Sequence, residues 1–333
     1  MKYRKKLYIK IVVSLSVFCM VMLLFLLFKK GKKYPFTYSE SSQYIPIADG
    51  ELLELTGDGG VFRYSNTGRK NLILESSDIR HLSVLYEEDV VYILSVHKDG
   101  LLALGRDFSF QEKRIASLEG VKKAGLQFNG IVVLTERGEV YEGTIPGTLA
   151  DFYEDATGDV ELVKVENMPE IADMSVTERD NVCLTKKGEV WAKGKFGMNA
   201  YEDYTKIPVE VPIVQISNAG DTILALDEEG MVYEVGLVLA EKNWSGRNKQ
   251  FTKVLTYGKA VQVYGFGDRA VLYNKNGTVY FFGYIGRGKG YEKWGGKVRG
   301  LKNVRQVFIR GEYICVLCED CLYIRKEPLP KRF

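Results

Sequence analysis

Histidine is almost missing from this chain: among 333 residues there are two, His81 and His97. Neither has a partner at a catalytic or metal-ligand spacing, so both read as ordinary surface histidines. A P-loop, a G-x-S-x-G elbow and an H-E-x-x-H helix are also lacking, which leaves an enzymatic reading without support. No catalytic residue, metal ligand or cofactor site is therefore assigned. Proline is scarce at 8, against 34 Gly, 21 Tyr and 16 Phe. That balance suits many short strands joined by glycine turns, and it is too apolar for a disordered chain.

Acidic residues are missing up to Lys33, where Lys2, Arg4, Lys5, Lys6, Lys10, Lys29, Lys30, Lys32 and Lys33 stand unopposed. Of 46 basic residues these nine leave 37 for the remainder, against 43 acidic ones, a net charge of about −6. An acidic domain repels phosphate backbones, so no nucleic-acid partner is expected.

Between those lysines runs the uncharged segment Ile11–Phe28, extended by Leu7 to Ile9 across Lys10. At 1.5 Å per residue, 18 to 22 residues span roughly 30 Å, the thickness of a bilayer's hydrocarbon core. A cleavable signal peptide fits worse, because Leu27–Phe28 runs into Lys29–Lys30 with no small-residue cleavage site. The expected organisation is a basic tail at 1–6, a transmembrane signal-anchor at 7–28, a basic collar and linker at 29–44, and a domain at 45–333. Positive charge flanks the segment on both sides. Lys10 and the α-amino group tilt the count toward a cytoplasmic N-terminus and an extracytoplasmic domain at the cell membrane.

One phrase then recurs: an apolar residue, often Thr or Asp next, two polar residues, Gly, any residue, Val, and an aromatic. It turns at Gly59, Gly100, Gly138, Gly188, Gly230 and Gly277, and in degenerate form at Cys321. Each phrase predicts a hairpin whose Gly takes the positive φ that other residues resist. The spacings of 41, 38, 50, 42, 47 and 44 residues match four-stranded propeller blades. The fold class is therefore all-β: a seven-bladed β-propeller preceded by one N-terminal transmembrane helix. Tyr34 to Tyr44 is the candidate for a strand closing the last blade.

The phrases Gly220-Asp-Thr-Ile-Leu-Ala-Leu226…Gly230-Met-Val-Tyr233…Gly236 and Gly267-Asp-Arg-Ala-Val-Leu-Tyr273…Gly277-Thr-Val-Tyr280…Gly283 resemble the repeat of the regulator of chromosome condensation family. The resemblance covers about residues 45 to 324 and implies a seven-bladed propeller. The family's frequent His is replaced here by Thr222, Asp180, Arg269 and Tyr313. It also implies work through protein contacts, as a nucleotide-exchange factor if cytosolic or an inhibitor of a hydrolase if external.

Cys315, Cys318 and Cys321 form C-x-x-C-x-x-C, yet each occupies a repeat slot, the last two being the Thr/Asp and turn-Gly slots. Their spacing follows from the repeat and not from a metal. Cys318 and Cys321 flank Glu319–Asp320, close enough for a cross-hairpin disulfide. Between the third and fourth phrases lies an acidic insert with Asp151, Glu154, Asp155, Asp159 and Glu161. The connection after Gly283 is the opposite, basic and Gly-rich, with Arg287, Lys289, Tyr291, Trp294 and Arg299; Trp244 and Arg247 come from the neighbouring blade. Trp, Tyr and Arg dominate binding hot spots, and Gly286-Arg-Gly-Lys-Gly290 has the composition of an anion cradle. These seven residues are the partner-binding candidates, against the plainer reading of a solvated loop. The function expected is a membrane-tethered, non-enzymatic module binding a protein or surface polymer, or alternatively a regulator of an enzyme.

Overall fold

Runs such as Ile131-Val-Val-Leu134 are apolar at every position, so a strand made from them has to be buried on both sides. A ring of sheets stacked face to face provides that. In the computed structural model, which describes residues 31–87, 89–108, 112–155, 159–237, 239, 248–254, 258–287 and 290–327, Ile131 and Val133 pack toward one neighbouring blade while Val132 and Leu134 pack toward the other. The segment expected to cross the membrane lies outside these residues. Among them no helix is long and apolar enough to do so.

The chain starts with β1 (Lys32–Pro35) and then builds its blades in order. Blade one is β2 (Gln43–Pro46), β3 (Leu52–Leu55), β4 (Val61–Tyr64) and β5 (Lys70–Leu74); blade two is β6 (Ile79–Glu87), β7 (Val90–His97), β8 (Leu101–Arg106) and β9 (Lys113–Ser117). Blade three is β10 (Val121–Gln127), β11 (Gly130–Thr135), β12 (Val140–Thr144) and β13 (Leu162–Lys164), with helix α1 (Leu149–Asp155) ahead of its last strand. Blade four is β14 (Ile171–Val176), β15 (Asn181–Thr185), β16 (Val190–Phe196) and β17 (Asn199–Ile207). Blade five is β18 (Ile213–Asn218), β19 (Thr222–Asp227), β20 (Val232–Gly236) and β21 (Asn248–Lys253). Blade six is β22 (Ala260–Phe266), β23 (Arg269–Asn274), β24 (Val279–Arg287) and β25 (Gly290–Val298). Blade seven is β26 (Val304–Arg310), β27 (Tyr313–Cys318) and β28 (Cys321–Lys326), completed by β1.

Seven four-stranded antiparallel sheets result, one for each phrase. Seven apolar clusters fill the seven seams, including the one between blades seven and one, where Phe36, Tyr44 and Leu52 meet Phe308, Leu317 and Ile324. Antiparallel order gives the ring two unlike faces. The phrase turns and the blade-to-blade connections share one, called here the turn face. The first hairpin turn and the outer connection of each blade share the other, the loop face.

The phrase has a local physical cause. Its glycines have φ between +76 and +98°. In four of the turns the opening residue caps it: Thr135 Oγ1 accepts Glu139 N–H at 3.1 Å, Thr185 Oγ1 accepts Glu189 N–H at 3.0 Å, Asp227 Oδ1 accepts Met231 N–H at 2.8 Å, and Asn274 Oδ1 accepts Thr278 N–H at 3.1 Å. A short side chain bearing an acceptor oxygen is what that slot requires.

Blade seven departs from the expected alignment. Leu317 pairs with Leu322, enclosing four residues, whereas Leu226 pairs with Val232 around five. One turn residue has gone, so Leu322 fills the Val slot and Cys321 stands directly opposite Cys318. Both thiols are free. The closing strand also differs in place: Lys32–Pro35 pairs with β28, from Lys32 opposite Ile324 to Pro35 opposite Cys321, while Gln43 and Tyr44 belong to blade one. The collar thus contributes two of its lysines to the ring itself.

The acidic insert is not a free loop. Leu149, Phe152 and Val160 are buried against blade two, and Tyr92 meets Tyr153 edge-on at 6.4 Å. Thr148 caps α1 by accepting Asp151 N–H at 3.1 Å. Arg106 pairs with Glu154 at 2.7 Å and Arg114 with Asp159 at 3.0 Å, so two of the insert's carboxylates are paired within the fold.

Candidate partner-binding site

The central channel is the first place to look in a propeller, and here its wall is committed to holding the ring. In every blade the inner-strand residue opposite the first phrase residue is polar: Gln43, His81, Lys123, Asp173, Gln215, Gln262 and Gln306. Five of them, Gln43, His81, Lys123, Gln215 and Gln262, reach to the next blade. Gln215 Oε1 accepts Val263 N–H at 3.1 Å, Gln262 Oε1 accepts Val307 N–H at 2.8 Å, His81 Nε2 lies 3.1 Å from Ala124 O, and Lys123 pairs with Asp173 at 2.9 Å. Further along, Tyr264 and Phe308 meet edge-on at 5.2 Å, and Arg310 lies 4.4 Å over the Phe266 ring.

Neither histidine is an ordinary surface residue. Burial, with the Lys123 charge second, pushes His81 down to about 3, so it stays neutral in the belt. His97 is partly buried, 3.2 Å from Glu112. Cys315 and Cys318 are buried, with thiols pushed up to about 12, and among the described residues no group of three His, Cys, Asp or Glu could hold a metal.

The expected binding patch is divided. What reads in sequence as an interblade loop after Gly283 is the outer hairpin of blade six: β24 and β25 pair along nine residues each, from Val279 opposite Val298 to Arg287 opposite Gly290. Arg287, Tyr291 and Trp294 lie on this hairpin, Arg287 at its tip on the loop face. Lys289, Trp244 and Arg247 lie outside the described residues. Gly286 and Gly290 are paired strand residues, and Gly288 and Lys289 of the expected anion cradle lie outside the described residues. Gly296 is explained by packing, since a Cβ there would stand 2.6 Å from the Phe281 ring. Arg299 follows Val298 at the far end of β25, about 30 Å from the tip by strand rise. It belongs to the turn face, away from the other candidates.

There Arg299 has company that the sequence reading left unassembled. Lys259, Lys275, Lys297, Arg299 and Lys302 are all exposed, and none has a carboxylate partner among the described residues. Lys33 of β1 joins them, its Nζ donating to Gly300 O at 3.4 Å. Elsewhere on the turn face Arg80 is matched with Glu136, Lys186 with Glu170, Lys164 with Glu139 at 2.6 Å, and Lys206 with Glu189 at 2.6 Å, whereas Arg137 and Lys187 have no ion pair among the described residues. A cleft of about 580 Å³ lies within the unmatched group, lined by Lys275, Lys302, the amides Asn274, Asn276 and Asn303, and Val261. Arg305 on its wall is neutralised by Glu319. Val261 and, on blade five, Val214 are 43 % and 47 % exposed. The signal available in sequence was the all-basic run Lys297, Arg299, Lys302; its assembly with Lys259 and Lys275 needs the third dimension.

No family model and no curated protein sequence matches the chain. Solved structures do. Human WBSCR16 is 16 % identical with a TM-score of 0.57, over 78 % of this chain and 80 % of that one. Yeast RCC1 (Prp20) bound to Kap60 is 12 % identical with a TM-score of 0.54, over 84 % of this chain and 78 % of that one. Prp20p of Saccharomyces cerevisiae, studied with its binding to Gsp1p and histones, is 12 % identical with a TM-score of 0.54, over 84 % and 81 %. At such identities the likeness is one of fold, and it is the seven-bladed fold that the glycine phrases anticipate.

Proposed function

We propose that the chain is a membrane-tethered, non-enzymatic protein-binding module that displays its propeller outside the cell. The observation that carries this reading is the way the tether enters the ring. The apolar segment ends at Phe28 and the closing strand begins at Lys32, so the interval reaches at most about 14 Å. β1 runs antiparallel to β28 and enters from the loop face. A bilayer would therefore lie on the loop-face side, leaving the turn face with its unmatched cations free for a partner. Propellers vary their connections on a constant frame, and such connections commonly carry recognition.

The regulator reading draws on the likeness to Prp20p, whose binding to Gsp1p and histones is described; its exchange-factor form requires a cytosolic propeller, its hydrolase-inhibitor form an external one. Orientation separates the two. Protease added to intact cells is expected to digest the domain, and protection of the domain would overturn the external reading. Chemical cross-linking on those cells is expected to capture a protein partner; a propeller that cross-links to nothing but lipid would remove the binding-module reading altogether.

A further inference from the structure

We infer that the turn-face cleft of blade six binds an acidic protein segment that also carries aliphatic side chains. This rests on the reading of the chain as a protein-binding module and specifies the partner's chemistry. Three observations converge on one place. The first is charge: Lys259, Lys275, Lys297, Arg299 and Lys302 are exposed without carboxylates among the described residues, in a domain that is otherwise net acidic. Like charges held together without counterions are an unfavourable arrangement in the free protein, relieved when carboxylates arrive. Five such cations gather on this blade, whereas Arg80, Lys164, Lys186 and Lys206 on the same face are each matched by a carboxylate.

The second observation is shape. The cleft of about 580 Å³ is walled by the blade-six phrase turn and the connection into blade seven, both held by backbone hydrogen bonds. Asn274 N–H donates to Thr278 O at 3.1 Å, and Glu319 N–H donates to Asn303 O at 3.1 Å. A partner therefore meets a formed groove and orders little of it on binding. Asn276 and Asn303 are exposed on its rim and offer amide donors and acceptors suited to a peptide backbone.

The third observation decides between classes of polyanion. Val261 lines the cleft, and Val214 stands at the equivalent bulge of the adjacent inner strand, each more than two-fifths exposed. Aliphatic side chains give nothing to a sulfated polysaccharide or a nucleic-acid backbone, whereas an acidic peptide with Leu or Val would bury them. The overall acidity of the domain also disfavours nucleic acid.

The test uses the full chain in detergent micelles and a fluorescent 12-residue peptide alternating Glu and Leu. Anisotropy titrations are expected to show binding that weakens as salt rises, that weakens at least about tenfold in Lys275→Glu/Lys302→Glu, and that weakens also in the uncharged Val261→Ser. A peptide alternating Glu and Ser is expected to bind more weakly than the Leu form and to be indifferent to Val261→Ser. Circular dichroism melts of each variant verify that the ring is intact. The inference is overturned if the Glu–Leu peptide does not bind, or if the charge reversal leaves its binding unchanged. It is equally overturned if heparin or an oligothymidylate binds as tightly and ignores Val261→Ser, or if sedimentation shows the cleft filled by a second copy. Cross-linking on cells distinguishes this failure from that of the wider reading. A partner still captured by the charge-reversed variant would sink the cleft and leave the binding module standing.

Discussion

Gln43 exchanges two hydrogen bonds with the backbone of Leu82: its Oε1 accepts Leu82 N–H at 3.0 Å, and its Nε2 donates to Leu82 O at 2.9 Å. A side-chain amide thus does across the seam between blades one and two what a neighbouring strand does within a blade. Truncation to Gln43→Ala leaves a buried N–H and a buried C=O without partners, at a cost of about 1–3 kcal/mol. The expected outcome is a lowered melting temperature with an unchanged far-ultraviolet spectrum.

His81 occupies the same slot one blade on, and its titration has a definite sign. Its folded value, about 3, lies below the ordinary 6.5, so the neutral form is what the fold accommodates. That contribution is complete above pH 6.5 and is lost as pH falls toward 3. His81→Gln places in blade two the residue that blades one, five, six and seven already carry. The variant is expected to match the parent's melting temperature near pH 7.5 and to exceed it at pH 5.

Asp268 titrates the other way. Burial, and then the charge of Asp221, push its carboxyl up to about 6 from 3.8. Its stabilising contribution is complete below pH 3.8 and is lost as pH rises through 6. Asp268→Asn keeps an acceptor and tolerates the residue's φ of +58°. It is expected to melt higher than the parent at pH 7.5, with the gap closing below pH 4.

Thiol chemistry separates the cysteines. Burial pushes Cys183 and Cys315 up to about 12, and burial with the neighbouring Cys321 thiol does the same to Cys318; Cys321 alone of the four is partly exposed. Native-state alkylation followed by peptide mapping is expected to mark Cys321 first and the other three only after unfolding.

Blade number was legible in the sequence because each glycine turn answers to local chemistry: a positive φ and, in four of the turns, a capping oxygen five or fewer residues apart. The alternating burial of runs such as Ile131-Val-Val-Leu134 was legible for the same reason. Relations between distant residues were not. The place of β1 depends on which segment reaches β28, and Tyr34 to Tyr44 contains equally good strand residues. The loss of one turn residue before Leu322 shows only in the pairing. The connection after Gly283 looked irregular because its glycines imitate a loop, whereas Gly296 serves the Phe281 ring lying across it. Arg299 was grouped with Arg287 by proximity in sequence, yet a strand carries neighbours in sequence to opposite faces of the ring.

The seventh blade is made from the two ends of the described chain: β1 from its beginning and β26 to β28 from its end. Six blades can assemble as the polypeptide leaves the ribosome, since each is contiguous. The seventh has to wait, with β1 already made, until β28 emerges. For that interval the core face of Phe36 has no Phe308 or Ile324 to cover it. The hazardous moment in the folding of this ring is therefore its closure, and a chain cut a few residues before Lys326 would leave β1 short of its partner and the circle open.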